Sequence, residues 1–334
     1  MLRRLVHRWE HAIFATDAGD RRPQPFGWGL SDVADLVDGH GDLLQLAEHW
    51  AGASEDFYRV GAMTGADFDG ERLTFDSPLP AADPEVSRAA ARLFEAPAAG
   101  GRAVVVIPQW NADEGSMVAA CRILNRCGLS ALRITLPYHE QRRPARMPRA
   151  DAMVSPVLGL TLQSVRRAVL EVRLAVAWLK RQGYRHVGLF GTSLGSCIGF
   201  LALSHDEGVR AAAFNHVAGH FADVVWEGLA TRHVRASLDP HVDLSTLRRC
   251  WAPISPAHFA PRLASRQPPM LMVSGAYDPI FLPQHAASLV DALRAAGVEF
   301  RRVVLPCGHY TLGRPPFYLI DAWMIIRFFR RHLR

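Results

Sequence analysis

The sequence predicts an α/β protein: a mostly parallel sheet flanked on both faces by helices. Three observations predict it. From about residue 102 onward, short apolar runs alternate with longer stretches of helical periodicity, and strands alternating with helices imply a parallel sheet covered on both sides. The runs, such as RAVVVIP at 102–108 and MLMVS at 270–274, are apolar at consecutive positions rather than at every second one. That is the mark of strands buried on both faces. Composition agrees, because 334 residues with 49% hydrophobic and 21% charged side chains can bury a sizeable core.

Each element follows in order. RAVVVIP is the first strand of the series, and 115–127 reads as a helix ending near Gly128. ALRITL at 131–136 is the second strand, stopped by Pro137, and a loop with Arg and Pro at 142–149 follows. Val165, Ala168, Val169, Val172 and Ala175 recur at helical spacing, so 161–182 is a long helix, and Gly183 ends it. HVGLF at 186–190 is the third strand, with a helix over 194–204. RAAAFNHV at 210–217 is the fourth. Residues 220–265 read as irregular and mostly helical, a segment that can cap the site. MLMVS is the fifth strand, and a helix over 284–296 stops at Gly297. FRRVVL at 300–305 is the sixth, and 317–332 is a closing helix. Upstream, the Ala- and Pro-rich stretch 79–101 separates an N-terminal region. The expected organisation is a helical extension at 1–70 and one α/β domain at 71–334.

In such sheets ligands bind beyond the carboxyl ends of the strands, so the chemistry is sought just after each strand. HVGLF runs into Gly191-Thr192-Ser193-Leu194-Gly195 and then a helix. The G-x-S-x-G pentapeptide is weak evidence alone. Between a strand and a helix it predicts a sharp turn that strains Ser193 and holds its hydroxyl at a helix N-terminus. A serine hydroxyl needs a base, and the base needs a third group to fix its tautomer. Asp278 follows MLMVS in the loop Gly275-Ala276-Tyr277-Asp278-Pro279, and Asp223 is its rival. His309 follows FRRVVL in Pro306-Cys307-Gly308-His309-Tyr310. His216 and His220 also lie near a strand end, but they precede Asp278, the wrong order for a Ser…Asp…His series. An oxyanion intermediate needs two donors. One is expected from the N–H of Leu194, the other from Gln109 or Trp110 after RAVVVIP. Tyr138 and His139, after the second strand, are expected to edge the pocket. Phe221, Val224, Val225, Trp226, Leu229 and Leu244 could line an acyl site or pack in the core.

Over about residues 70–334 the chain resembles α/β-hydrolase-fold serine hydrolases. GTSLG at 191–195, SGAYDP at 274–279 and PCGHY at 306–310 carry the resemblance. PYHEQRRP at 137–144 is similar to a Pro-Tyr-x-x-x-Arg-x-Pro stretch of the branch that includes α/β-hydrolase domain-containing protein 18. The resemblance implies an eight-stranded, mostly parallel sheet, with Ser193, Asp278 and His309 as a triad. It implies no substrate. The HGGG oxyanion form of lipases and esterases is absent here. The leading expectation is carboxylic ester hydrolysis through an acyl-enzyme. Acyl transfer, thioester or peptide hydrolysis use the same residues, and a non-catalytic binding protein on this fold is the reading from another class.

Other features bound the partners. Basic residues exceed acidic ones for a net charge of +6, but Lys180 is the only lysine and the arginines are scattered with no run longer than two. That reads as a solvated surface, with no nucleic-acid partner expected. The five cysteines match no zinc pattern, so reduced thiols are expected, and the acyl-enzyme mechanism needs no metal or organic cofactor. Residues 1–20 carry no secretory block, and no apolar stretch reaches about 18 residues, so the expectation is a cytoplasmic protein with no transmembrane segment. Leu2, Leu5, Val6, Trp9 and Ile13 recur at helical spacing beside Arg3, Arg4 and Arg8. Such a helix is expected to pack on its own domain or form a homodimer contact, rather than lie on a membrane.

Overall fold

In the computed structural model, which describes residues 2–16, 21–37 and 41–334, the chain opens with α1 (Leu2–Thr16), α2 (Leu43–Gly52) and the single turn α3 (Ser54–Phe57). Three strands follow, β1 (Asp67–Phe68), β2 (Arg72–Asp76) and β3 (Arg88–Phe94), each antiparallel to the next. The alternation then begins: β4 (Arg102–Ile107), α4 (Val118–Arg126), β5 (Ser130–Thr135), α5 (Leu158–Arg181), β6 (His186–Thr192), α6 (Leu194–His205) and β7 (Val209–Asn215). The short helices α7 (Phe221–Glu227), α8 (Arg232–Leu238) and α9 (Leu244–Cys250) come before β8 (Met270–Gly275). The chain closes with α10 (Pro283–Ala295), β9 (Arg301–Leu305) and α11 (Phe317–His332).

The strand order is β1-β2-β3-β5-β4-β6-β7-β8-β9. β3 pairs antiparallel with β5, and every pair from β5 to β9 is parallel. The six expected strands make up this parallel part. Two expectations need correction. The sheet has nine strands among the described residues, not eight; the surplus is β1, two residues long. The stretch 79–101 is not a mere separator, since it contains β3, paired on both edges. β3 alternates between buried and less buried positions, so it lacks the continuous apolar run that exposes a parallel strand in sequence.

The core lies on both faces of the sheet. One face packs α5, α6 and the short helices around Val105, Leu162, Val169 and Phe200. The other packs α4 and α11 around Val104, Leu124, Phe190 and Phe329. α2 and α3 share the first core through Leu43, Leu46, Phe57 and Tyr58, and the Tyr58 hydroxyl donates to the Pro253 carbonyl at 2.8 Å. α1 docks on its own domain, but not by its whole apolar stripe. It turns Val6 and Glu10 inward, while Leu2, Leu5 and Trp9 are 47%, 59% and 51% exposed. The inward side combines Val6 of that stripe with a polar contact of Glu10, described below. Among the described residues no helix is long and apolar enough to cross a membrane.

Candidate active site

The turn between β6 and α6 is built from close approaches. A Cβ on Gly191 would lie 2.3 Å from the Gly195 carbonyl oxygen, and one on Gly195 would lie 2.3 Å from that of Ile107. Only glycine permits both. The turn forces Ser193 to φ 56°, ψ −124°, a strained conformation for a residue with a side chain. Its N–H donates to the Asn215 carbonyl at 2.8 Å, which fixes the turn to β7. Leu194 is the first residue of α6, so its N–H has no acceptor within the helix. The contact of Gly195 with Ile107 and Pro108 also brings the end of β4 beside the serine. Gln109 and Trp110 therefore line the same cavity as Ser193 and Leu194.

The loops after β8 and β9 are stitched together. Ala276 N–H donates to Leu305 O at 2.8 Å, and Tyr277 N–H to Cys307 O at 2.9 Å. This places Asp278 against His309, with Nδ1 of the histidine 2.8 Å from Oδ2 of the aspartate. Nε2 of His309 lies 3.0 Å from the Ser193 hydroxyl. The second oxygen of Asp278 accepts the N–H groups of Ile280 and Phe281 at 2.8 and 2.9 Å. Burial alone would raise the Asp278 pKa, but His309 and His216 beside it hold it well below the usual carboxylate range. For His309, burial pushes downward, while Asp278, its hydrogen bond and the Glu10 carboxylate push upward and prevail. The arrangement can take a proton from the serine at Nε2 while Nδ1–H is held by a charged acceptor.

The rivals fall elsewhere. Asp223 is engaged by Arg248 at 2.6 and 2.9 Å. His216, set aside on chain order, is nevertheless in the site. Its ring centroid is 4.4 Å from that of His309. Its Nδ1 is 2.7 Å from Asp278 Oδ2, though out of line for a hydrogen bond. Burial, and then the neighbouring His309, push its pKa below the ordinary histidine value, against the pull of Asp278. His216, Asp278 and His309 are also the one metal-like cluster among the described residues. Their 2.7 and 2.8 Å nitrogen–oxygen separations are shorter than the roughly 3.3 Å edge of a tetrahedral zinc site.

Glu10, missed in the sequence, supports the histidine loop. It is fully buried, and its carboxylate accepts the N–H groups of Tyr310 at 3.0 Å and Thr311 at 2.8 Å. The only signal is an acidic residue on the inner side of an otherwise basic helix.

The cavity beside Ser193 measures about 600 Å³ and is mainly apolar, with Met117, Ile123, Phe221, Val224, Ile280 and Phe281 in its walls. Val225 also reaches it, whereas Trp226, Leu229 and Leu244 do not. Tyr138 and His139 do not line it either. They are buried beside a smaller cavity of about 160 Å³. His139 Nε2 accepts the Asn111 N–H at 2.8 Å, and Ala150 N–H donates to Asn111 Oδ1 at 2.9 Å, so this loop braces the turn after β4. The Arg and Pro of PYHEQRRP are structural as well. Arg142 is buried and pairs with both oxygens of Glu171 at 2.7 Å.

No protein-family model and no curated protein matches the chain. Solved structures do. The chain is similar to an acylaminoacyl peptidase of Pyrococcus horikoshii, at 12% identity and a TM-score of 0.61, covering 84% of this chain and 43% of that one. It is similar to a puromycin-hydrolyzing peptidase of Mycobacterium tuberculosis, at 14% identity and 0.59, covering 74% and 37%. It is also similar to an esterase of Pyrococcus furiosus, at 12% identity and 0.53, covering 74% and 87%. The chain thus spans less than half the length of these two peptidases. At such identities the likeness is one of fold, and the fold is the α/β-hydrolase fold.

Proposed function

We propose that this chain, built on the α/β-hydrolase fold, is a serine hydrolase that cleaves carboxylic esters through an acyl-enzyme. The observation that carries the reading is the continuous relay from Ser193 to His309 at 3.0 Å and on to Asp278 at 2.8 Å. Ser193 attacks the ester carbonyl as its proton passes to His309 Nε2. The N–H of Leu194 and one from Gln109 or Trp110 receive the oxyanion. His309 then protonates the leaving alcohol, and a water activated by the same nitrogen releases the acid. The apolar walls, Phe221 and Val224 of α7 among them, suit an apolar acyl chain, with α7 to α9 as the cap. Acyl transfer and peptide cleavage would use the same relay. A place in the branch suggested by PYHEQRRP is part of this proposal.

A fluorophosphonate probe with peptide mapping tests it. The expected adduct is on Ser193 and is absent in Ser193→Ala, which should also lower ester turnover by about 10⁴-fold or more. Folded protein that takes up no probe would overturn the reading.

A further inference from the structure

One wall of the cavity is polar where ester hydrolysis has no need of polarity. Asn215 ends β7, Asp321 lies in the second turn of α11, and both line the cavity. They are only 4% and 8% exposed. Asn215 Nδ2 donates to Asp321 Oδ2 at 2.6 Å. This leaves the Oδ1 atoms of both residues buried and without a hydrogen-bond partner. Burial lifts the Asp321 carboxyl to about 6, against which the Asn215 hydrogen bond acts. When ionised it has no cation paired with it among the described residues.

The orphaned atoms define what would satisfy them. Both are acceptors, so the ligand must donate. A hydroxyl has one hydrogen and would serve one of them. A carboxylate has none, and it and a phosphate would both be repelled by the ionised Asp321. A primary ammonium supplies three N–H donors and the missing positive charge. The main-chain oxygen of Asn215 accepts the Ser193 N–H at 2.8 Å, and Ser193, Asn215 and Asp321 line the same cavity, so this wall and the nucleophile face one ligand space. We propose that Asn215 and Asp321 form a subsite for a primary ammonium group, and that the substrate is an amine-bearing ester or amide. The substrate half of this proposal rests on the hydrolase reading above; the subsite does not.

Calorimetric titration of the purified protein with hexylammonium chloride and with hexanol tests the subsite without turnover. Hexylammonium should bind at least about tenfold more tightly than hexanol, and Asp321→Asn should bring the two within about threefold. Equal affinities in the unaltered protein, or a preference that survives Asp321→Asn, would overturn the proposal. If Asp321→Asn shows no cooperative unfolding, hexyltrimethylammonium decides in its place. That ion keeps the charge but has no N–H, and should bind at least about tenfold more weakly than hexylammonium; equal binding sinks the idea. A protein that prefers hexylammonium but takes no fluorophosphonate at Ser193 keeps the subsite and loses the hydrolase reading. One that is labelled but shows no preference does the reverse.

Discussion

The turn that carries Ser193 and the loop that carries His309 meet at one hydrogen bond, yet they are built in opposite ways. The serine turn is held by its own glycines and by its nearest strands, through Ile107, Pro108 and Asn215. The histidine loop is stitched to the loop after β8 and needs in addition Glu10, which lies 300 residues from its partner Tyr310 in sequence. One half of the site is therefore a property of a pentapeptide in its strand–helix setting. The other half depends on how the first helix docks.

Substitutions can break this contrast. The largest effect is expected in the serine turn. In Gly195→Ala the new Cβ would sit 2.3 Å from Ile107 O and 2.4 Å from Pro108 O. Both are backbone atoms, so the end of β4 or the start of α6 must move. We expect a stability loss of about 1–3 kcal/mol by denaturant titration, and probe labelling of Ser193 slowed by about 100-fold. Labelling at the unaltered rate would show that the turn is not the rigid half. A smaller effect is expected at the remote prop. Glu10→Ala leaves the N–H groups of Tyr310 and Thr311 without their acceptor, a cost of about 1–3 kcal/mol for a buried group. Turnover should fall about tenfold with KM little changed, since Glu10 is not among the cavity walls. A KM effect without a kcat effect would assign α1 to substrate binding instead.

The same contrast explains what the sequence revealed. β4 to β8 are interior parallel strands whose consecutive apolar residues stand out, β9 at the sheet edge still shows through Val303, Val304 and Leu305, and the loops after them follow by topology. β3 escaped because RAAARLF mixes alanines with arginines and gives little hydrophobic contrast, and β2 because RLTFD is short and places only Leu73 and Phe75 inward. Among the suggested cap residues, Phe221, Val224 and Val225 share one side of α7 by helical spacing and reach the cavity, while Trp226 points from another side. Tyr138 and His139 were misplaced because a polar loop after a strand can brace the site as readily as face it. Glu10, His216 and the Asn215–Asp321 pair were not legible. Each takes its meaning from a partner distant in the chain, and one sequence carries no trace of such pairings.

The finest test separates a prop from a charge. In the proposed mechanism His309 acts as a base only when unprotonated, so turnover should fall as pH drops through its pKa, which stands above the ordinary 6.5. His216 faces the same carboxylate, but burial and the neighbouring His309 push its pKa down, opposite to the shift of His309. Glu10→Gln keeps one oxygen to accept an N–H from the loop and removes a negative charge that helps to raise the His309 pKa. Losing that charge lowers the pKa, so the acid limb of the kcat/KM profile should move to lower pH, with a plateau drop smaller than in Glu10→Ala. Were Glu10 only a brace, the plateau would fall and the limb would stay in place. A moving limb means that the first helix sets the basicity of His309 as well as its position, and that the remote half of the site is tuned by docking as well as held by it.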